Sequence, residues 1–257
     1  MANAYLLSPA TGPFWVSASG GRTSMMMARL IQQAFPDANI PFVFSNTGEE
    51  HPATLQFVKD CQEHWGMPIV WVEAVVHHGE RRACTHKVVD YATAKRSGRD
   101  GPFEEVVKKY GLPSKMYPHC TRELKINPMY SYIRSIGFEG KSAVGIRGDE
   151  PKRLGKDPNI VYPMADWWPT TKQEVLEWGL GQPFKLQLAG EEEGNCKRRR
   201  QKSDKKHAIN LERNPQWYDF PAHLEAHYAD IKAPIEPRRI FRGGRSTNQL
   251  IETINLN

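Results

Sequence analysis

Short apolar runs and helix-like segments alternate in the N-terminal part of this chain. Residues 14–16, 40–45 and 69–72 predict buried strands, and helical spacing of apolar residues predicts helices at 23–35 and 54–65. A β-α-β-α-β order needs a crossover connection between strands, which gives a parallel sheet with helices on both faces. The fold class is therefore predicted to be α/β.

The remainder of the chain extends this pattern and then changes in composition. Further helices are predicted at the segments 103–110, 124–136, 172–178 and 205–213, with a strand at 142–146 and a mobile polar loop at 95–101. After about residue 185 the sequence becomes charged and polar. We predict an α/β domain over residues 1–184 and a basic, mostly helical C-terminal subdomain over residues 185–257.

Composition limits the class of protein. The chain has 257 residues, 39% hydrophobic and 25% charged, as expected of a globular protein. No apolar run reaches the length of a membrane span, and residues 1–11 lack the pattern of a signal peptide, so a cytoplasmic location is predicted. The formal charge of +6 favours an anionic partner, either a nucleotide or a nucleic acid.

A glycine pair stands where the first strand ends and the first helix begins. Glycine lets the backbone approach a phosphate closely, and the first free amides of a helix bind anions. The same pattern also fits an ordinary turn followed by a helix cap. It is neither GxxxxGK[ST] nor GxGxxG. The segment consists of Ser19, Gly20, Gly21, Arg22, Thr23 and Ser24.

This loop resembles the SGGxxS pyrophosphate loop of the PP-loop ATP pyrophosphatases, and three later segments resemble the phosphoadenosine phosphosulfate (PAPS) reductase-like branch. Residues 46–54 read NTGEEHPAT, similar to a DTGxxxPET segment, with Asn46 in place of Asp and Ala53 in place of Glu. Residues 119–128 are similar to a Cys-containing segment that leads to Lys and Pro. Residues 145–153 are similar to GxRxxES followed by a later Arg. The resemblance covers roughly residues 14–180.

The resemblance implies a HUP-like (adenine nucleotide alpha hydrolase-like) fold and a specific reaction. ATP would be cleaved to AMP and pyrophosphate, with Mg²⁺, to adenylylate a substrate for sulfur transfer or nucleic-acid modification. Catalytic roles are implied for Arg147, Lys125 and Cys120. Nucleotide binding is implied for Ser19, Gly20, Gly21, Arg22, Thr23, Ser24, Asn46, Thr47, Gly48 and Arg153.

The four cysteines leave the question of a metal open. Cys61 is predicted to be a core residue. Related chains often carry Gly-Asn-Cys-x-x-Cys, but here Arg199 stands at the second Cys position after Cys196. Cys84, Cys120 and Cys196 could still form a three-thiolate set for a [4Fe–4S] cluster. Zinc held by these cysteines with a nearby histidine is the alternative.

Two other functions stay open. A sulfonucleotide reductase that releases sulfite is the first, although its Glu-Cys-Gly-x-His segment has no counterpart here, since no Cys follows Cys196. A nucleotide-binding or nucleic-acid-binding protein without turnover is the second.

Basic runs at 197–206 and 238–245 predict contact with tRNA or DNA, although such runs are more often solvated surface.

Overall fold

A six-stranded sheet forms the centre of the protein. The computed structural model describes residues 12–114, 117–190, 192–194, 196–197, 200–233 and 235–256. The strands are β1 (Phe14–Ala18), β2 (Phe42–Asn46), β3 (Ile69–Val75), β4 (Thr85–Val89), β5 (Lys141–Val144) and β6 (Ile160–Val161). Their spatial order is β4-β3-β2-β1-β5-β6. The chain therefore builds outward from β1 in one direction and then crosses to its other side.

The sheet is mixed, which corrects the prediction of a parallel sheet. Five strands are parallel, but β4 pairs antiparallel to β3, with Trp71 opposite Val89. A short connection suffices for an antiparallel neighbour, whereas a parallel one needs a crossover. The β4 sequence, Thr-His-Lys-Val-Val, is partly exposed along its length and carries no apolar pattern that would have predicted it.

Helices and short helical segments connect and cover the strands. They are α1 (Arg22–Ala34), α2 (Pro52–Trp65), α3 (Pro102–Tyr110), α4 (His119–Thr121), a π-helix (Arg122–Ile126), α5 (Asn127–Ser135), a 3₁₀ turn (Pro151–Arg153), α6 (Pro163–Asp166), α7 (Lys172–Leu180), α8 (Asp204–Arg213), a second 3₁₀ turn (Pro215–Tyr218), α9 (Asp219–Tyr228) and α10 (Thr247–Asn255). The six predicted helices all exist, although the segment at 124–136 is divided between the π-helix and α5.

Helices lie on both faces of the sheet, as predicted. Because side chains alternate along a strand, Val16 and Phe44 pack with α1 and α2 in one core cluster. Trp15, Val43 and Val72 point the other way and pack against α5. Both clusters consist of fully or nearly fully buried side chains. The sheet is thus rigid beneath the loops that follow its strands.

The C-terminal part of the chain is helical, as predicted, and its helices pack with α3 in a separate apolar cluster. Leu224 and Leu250 pack there with Val107 of α3. By contrast, Leu186 is buried in the core beside the sheet. The division at residues 184 and 185 stays a prediction. Among the described residues, no helix is both long and apolar enough to cross a bilayer.

Candidate functional site

A cavity of about 1010 Å³ opens at the carboxyl ends of β1, β2 and β5. The loops that follow these three strands contribute Ser19, Thr47 and Gly145 to its lining. The C-terminal part of the chain supplies the opposite wall. In open α/β sheets, ligands bind at the point where the strand order reverses, which here lies between β1 and β5.

The glycine loop has the backbone geometry of an anion site. Gly20 has a φ of +73°, and a Cβ there would lie 2.5 Å from Thr54 Cγ2. Gly21 is the N-cap of α1, with extended backbone and no side-chain cap. The Met25 amide donates to the Gly21 carbonyl at 3.0 Å. The amides of the three preceding helical residues have no acceptor within the helix, so they are available to a ligand.

Ser24 organises the loop. Its Oγ accepts hydrogen bonds from the Ser19 amide at 3.0 Å and the Ser19 hydroxyl at 2.9 Å, and donates to the Gly21 carbonyl at 3.2 Å. A Cβ on Gly145 would lie 2.7 Å from Ser24 Cα, so only glycine permits this approach of the β5 loop to α1. The loops that follow β1 and β5 are therefore held close together at the floor of the cavity.

The π-helix carries Lys125 into the cavity. Leu124 is fully buried, and its carbonyl accepts from Ser45 Oγ at 2.6 Å, which anchors the π-helix to β2. Lys125 Nζ lies 3.1 Å from Glu50 Oε1. Burial alone would lower the pKa of Lys125, but Glu50, Cys196 and Cys120 together outweigh that effect and raise the pKa. Lys125 is therefore a cation at neutral pH.

Two carboxylates stand beside this lysine on the cavity wall. Glu50 also accepts from Thr47 Oγ1 at 3.0 Å, while its Oε2 is buried without a hydrogen-bond partner. Glu49 accepts from Ser97 Oγ at 3.0 Å. Both residues are nearly fully buried and line the cavity. An orphaned carboxylate oxygen beside an anion loop is a place for a ligand donor or a cation.

The two arginines predicted near the phosphates differ in position. Arg147 lies next to Thr23, with Nη1 3.5 Å from Thr23 Oγ1, but its guanidinium pairs with Asp149 at 2.7 Å and does not contribute to the cavity lining. Arg153 does line the cavity and pairs with Glu150 at 2.5 Å. Arg153, with a side chain 60% exposed, is the freer of the two to meet an anion.

Asn46 and Gly48 shape the turn after β2. Asn46 is fully buried, and its Nδ2 donates to Glu73 Oε1 at 2.7 Å and to the Lys95 carbonyl at 2.8 Å. Gly48 has a φ of +75°, and its amide donates to Asn46 Oδ1. Neither residue lines the cavity. The uncharged Asn in place of Asp thus fastens the turn to β3 and to the 95–101 loop.

Arg22 and Thr23 lie at the start of α1 and both line the cavity. The Arg22 guanidinium turns toward the C-terminal segment, where Nη2 donates to the Leu186 carbonyl at 2.9 Å. Seven of the ten predicted nucleotide-binding residues are therefore among the cavity-lining residues; the other three are Gly20, Asn46 and Gly48.

The three cysteines predicted as metal ligands have different surroundings. Cys120 and Cys196 line the cavity. Cys84 lies in an apolar cluster with Val106 and Leu124, where burial and the neighbouring Glu123 carboxylate raise the pKa of its thiol to about 12. In the core, burial likewise raises the pKa of Cys61, consistent with a structural role.

The described residues do not fit a three-thiolate cluster. They hold no group of three or more His, Cys, Asp or Glu side chains placed to bind a metal ion. Cys120 has another partner, because Arg200 Nη1 donates to its Sγ at 3.0 Å. Arg199, at the broken Cys position, lies outside the described residues.

Sequence reasoning assigned no role to Glu49 or Glu50, and it placed Arg200 and Arg242 only in basic runs for nucleic-acid contact, although all four line the cavity. The two glutamates directly follow the NTG turn. Because β1 and β2 are parallel neighbours, this turn lies beside the glycine loop, and that position is the signal that could have identified the two glutamates. The arginines are distant in sequence, and only packing of the C-terminal segment brings them to the site.

Comparison with known proteins agrees with this geometry. Residues 13–97 match the phosphoadenosine phosphosulfate reductase domain family. The uncharacterized nin region protein ORF290 of Escherichia phage lambda is 36% identical over 187 residues, covering 70% of this chain and 63% of that protein. An uncharacterized protein of Methanocaldococcus jannaschii is 30% identical over 137 residues, covering 52% of this chain and 23% of the relative. This chain thus spans less than two thirds of either relative.

A solved structure, the PAPS reductase of Candida auris in a phosphate complex, aligns with a TM-score of 0.39 at 15% identity, covering 66% of this chain and 72% of that one. The family match includes the glycine loop, α1 and the NTG turn, which are the elements that build the cavity floor. Residues 13–97 of this chain thus form a phosphoadenosine phosphosulfate reductase-like domain.

Proposed function

We propose that this protein binds ATP in the cavity and cleaves it between the α and β phosphates to adenylylate an acceptor. The observation that carries the proposal is the glycine loop, with the amides at the start of α1 directed into a cavity that Lys125 and Arg153 also line. Backbone amides and cations aimed at one point stabilise the charge that develops on a leaving pyrophosphate.

In the reaction, an acceptor oxygen attacks the α-phosphorus, and the bond from that phosphorus to the α–β bridging oxygen breaks. The products are the adenylylated acceptor, pyrophosphate and the proton that the acceptor gives up. The amides of Arg22, Thr23 and Ser24 hold the terminal phosphates. Lys125 exchanges its Glu50 partner for phosphate oxygens as the nucleotide enters, which concentrates positive charge where it is needed.

The cavity also suits the Mg²⁺ that accompanies ATP. Magnesium binds through one or two carboxylates together with substrate phosphates, and Glu49 and Glu50 offer two carboxylates at the loop. The unpartnered Oε2 of Glu50 is the donor that fits it best. Magnesium, when bound, would neutralise phosphate charge.

Cleavage of α-labelled ATP tests the proposal. With a nucleic-acid or other acceptor present, pyrophosphate is expected together with label on the adenylylated acceptor, or in AMP once a sulfur or nitrogen nucleophile has displaced AMP from it. Release of ADP and phosphate would refute the proposal. Gly21→Asp is expected to abolish ATP binding in calorimetry, because a carboxylate then occupies the phosphate position. Asp is a favoured N-cap, so the fold is retained. Gly21→Asn is the matched control, with the same size and no charge. Equal loss in both variants would contradict the electrostatic reasoning.

A second function has one observation in its favour. Two thiols, Cys120 and Cys196, line the cavity, and a thiol beside a bound sulfonucleotide could serve its reduction. Sulfite release from PAPS in the presence of thioredoxin would select this function over adenylylation. Tight ATP binding without turnover of either nucleotide would select a binding protein.

A further inference from the structure

A second cavity of about 540 Å³ adjoins the proposed ATP cavity. The two share Arg200, Gln201, Ile240 and Arg242, so they meet along this line of residues. The outer wall is the turn that contains Gly243 and Gly244. We call this second space the arginine cavity.

Its lining is strongly basic. Arg200, Arg239 and Arg242 line it, and no acidic side chain among the described residues does so. Three positive charges around a space of this size attract anions, and the surrounding protein reduces their screening.

Other cations of the two basic runs have internal partners. Lys202 is nearly buried, and its Nζ donates to the carbonyls of Glu193 at 2.6 Å and Lys197 at 2.7 Å. Arg238 donates to the Tyr110 carbonyl at 3.0 Å. Arg245 forms a two-pronged pair with Asp204 at 2.6 and 3.0 Å. Arg238 and Arg245 line neither cavity, and Lys202 lines the ATP cavity with its amine held by backbone carbonyls.

The arginines of the cavity keep unused donors. Arg200 donates to Cys120 Sγ and to the Ser114 carbonyl at 2.9 Å, while its buried Nε has no hydrogen-bond partner. Arg239 uses Nη1 on Gln249 Oε1 at 2.8 Å. A guanidinium has five N–H donors in a fork that matches phosphate oxygens. Donors therefore remain on both of these side chains.

We propose that the arginine cavity binds backbone phosphates of a single-stranded nucleic acid, which is the acceptor in the proposed ATP reaction. The inference rests on the proposed function and specifies its substrate class. A space of this volume holds about one or two nucleotides of a strand, whereas a duplex is read from outside through its grooves. The adjoining nucleotide of the strand then reaches the ATP cavity beside Cys120 and Lys125.

Fluorescence anisotropy with a labelled single-stranded oligonucleotide of about twelve nucleotides, as DNA and as RNA, tests this proposal. Arg239→Ala and Arg242→Ala are each expected to weaken binding about 5- to 10-fold and to lower the slope of log affinity against log salt by about one. Arg134→Ala, an exposed arginine on α5, is the matched control and is expected to bind like wild type.

Several outcomes would overturn the proposal. Equal affinity and salt slope in the Arg239→Ala/Arg242→Ala double variant and the Arg134→Ala control would do so. Competition by inorganic phosphate or AMP as strong as by unlabelled oligonucleotide would assign the site to a small anion instead. Calorimetric titration of wild type with ATP is run alongside. Oligonucleotide binding without ATP binding refutes the proposed function alone, and ATP binding without oligonucleotide binding refutes this inference alone.

Discussion

Protonation of His207 is expected to weaken the C-terminal cluster that supports the arginine cavity. His207 is 1% exposed and packs against Phe241, which lines that cavity. Its Nδ1 lies 2.9 Å from Tyr218 Oη, and its Nε2 is buried without a hydrogen-bond partner. Burial, followed by the charge of Lys202, lowers the pKa of His207 from 6.5 to about 4.

The sign and size of the effect follow from this shift. The unfolded chain binds the proton below about pH 6.5, whereas the folded protein binds it only near pH 4, so acid favours unfolding between these values. Lowering the pH from 7 to 5 is therefore expected to cost the fold about 2 kcal/mol through His207 alone. No further loss from this group is expected well below pH 4.

Urea unfolding at pH 7 and pH 5 measures this cost, with wild type compared with His207→Gln. Glutamine does not titrate, so the variant is expected to lose about 2 kcal/mol less than wild type between the two pH values, whatever its stability at pH 7. Other histidines contribute equally to both proteins. His227→Gln, at an exposed position on α9, is the control and is expected to behave as wild type. An identical pH dependence in wild type and His207→Gln would refute the reasoning.

Three further variants test the site and the fold. Gly145→Ala places a Cβ 2.7 Å from the α1 backbone, so we expect ATP binding at least 10-fold weaker in calorimetry and about 1–3 kcal/mol less stability. Gly148→Ala, with 3.9 Å of space, should change neither. Lys125→Met leaves Glu50 buried without its cation and should cost about 3 kcal/mol in urea, whereas Lys125→Met/Glu50→Gln should regain stability but not ATP binding. Lys202→Met should lower stability by about 3 kcal/mol with an unchanged oligonucleotide salt slope, since its amine serves backbone carbonyls.

Local pattern was enough to predict the central elements of the fold. Buried strands and amphipathic helices near the N-terminus are specified by residues close together in sequence, and β1, β2, β3, α1 and α2 all appear where expected. The missed strands, β4 and β6, are a partly exposed edge strand and a two-residue strand. Each is held mainly by its neighbour in the sheet, so its own sequence carries little of the information.

In the candidate site, too, local sequence predicted some features, whereas others depended on tertiary packing. The glycine loop was recognisable because its chemistry is local: Gly20 has a positive φ, and Gly21 is the N-cap of α1 with extended backbone. The predicted roles of Asn46 and Arg147 depended on where long side chains point. Neither side chain lines the cavity, because Asn46 donates to the buried Glu73 and Arg147 pairs with Asp149.

By itself, the sequence determined an α/β sheet with a glycine loop between its first strand and first helix, because backbone conformation and apolar periodicity are properties of neighbouring residues. Only the tertiary structure decided which charges face the cavity. Lys202 and Arg242 are both members of basic runs and both line the ATP cavity, yet the Lys202 amine is held by backbone carbonyls, whereas Arg242 also lines the arginine cavity. That difference arises from the packing of segments far apart in the chain, which determines the cost of burying a charge and the partners that can compensate it.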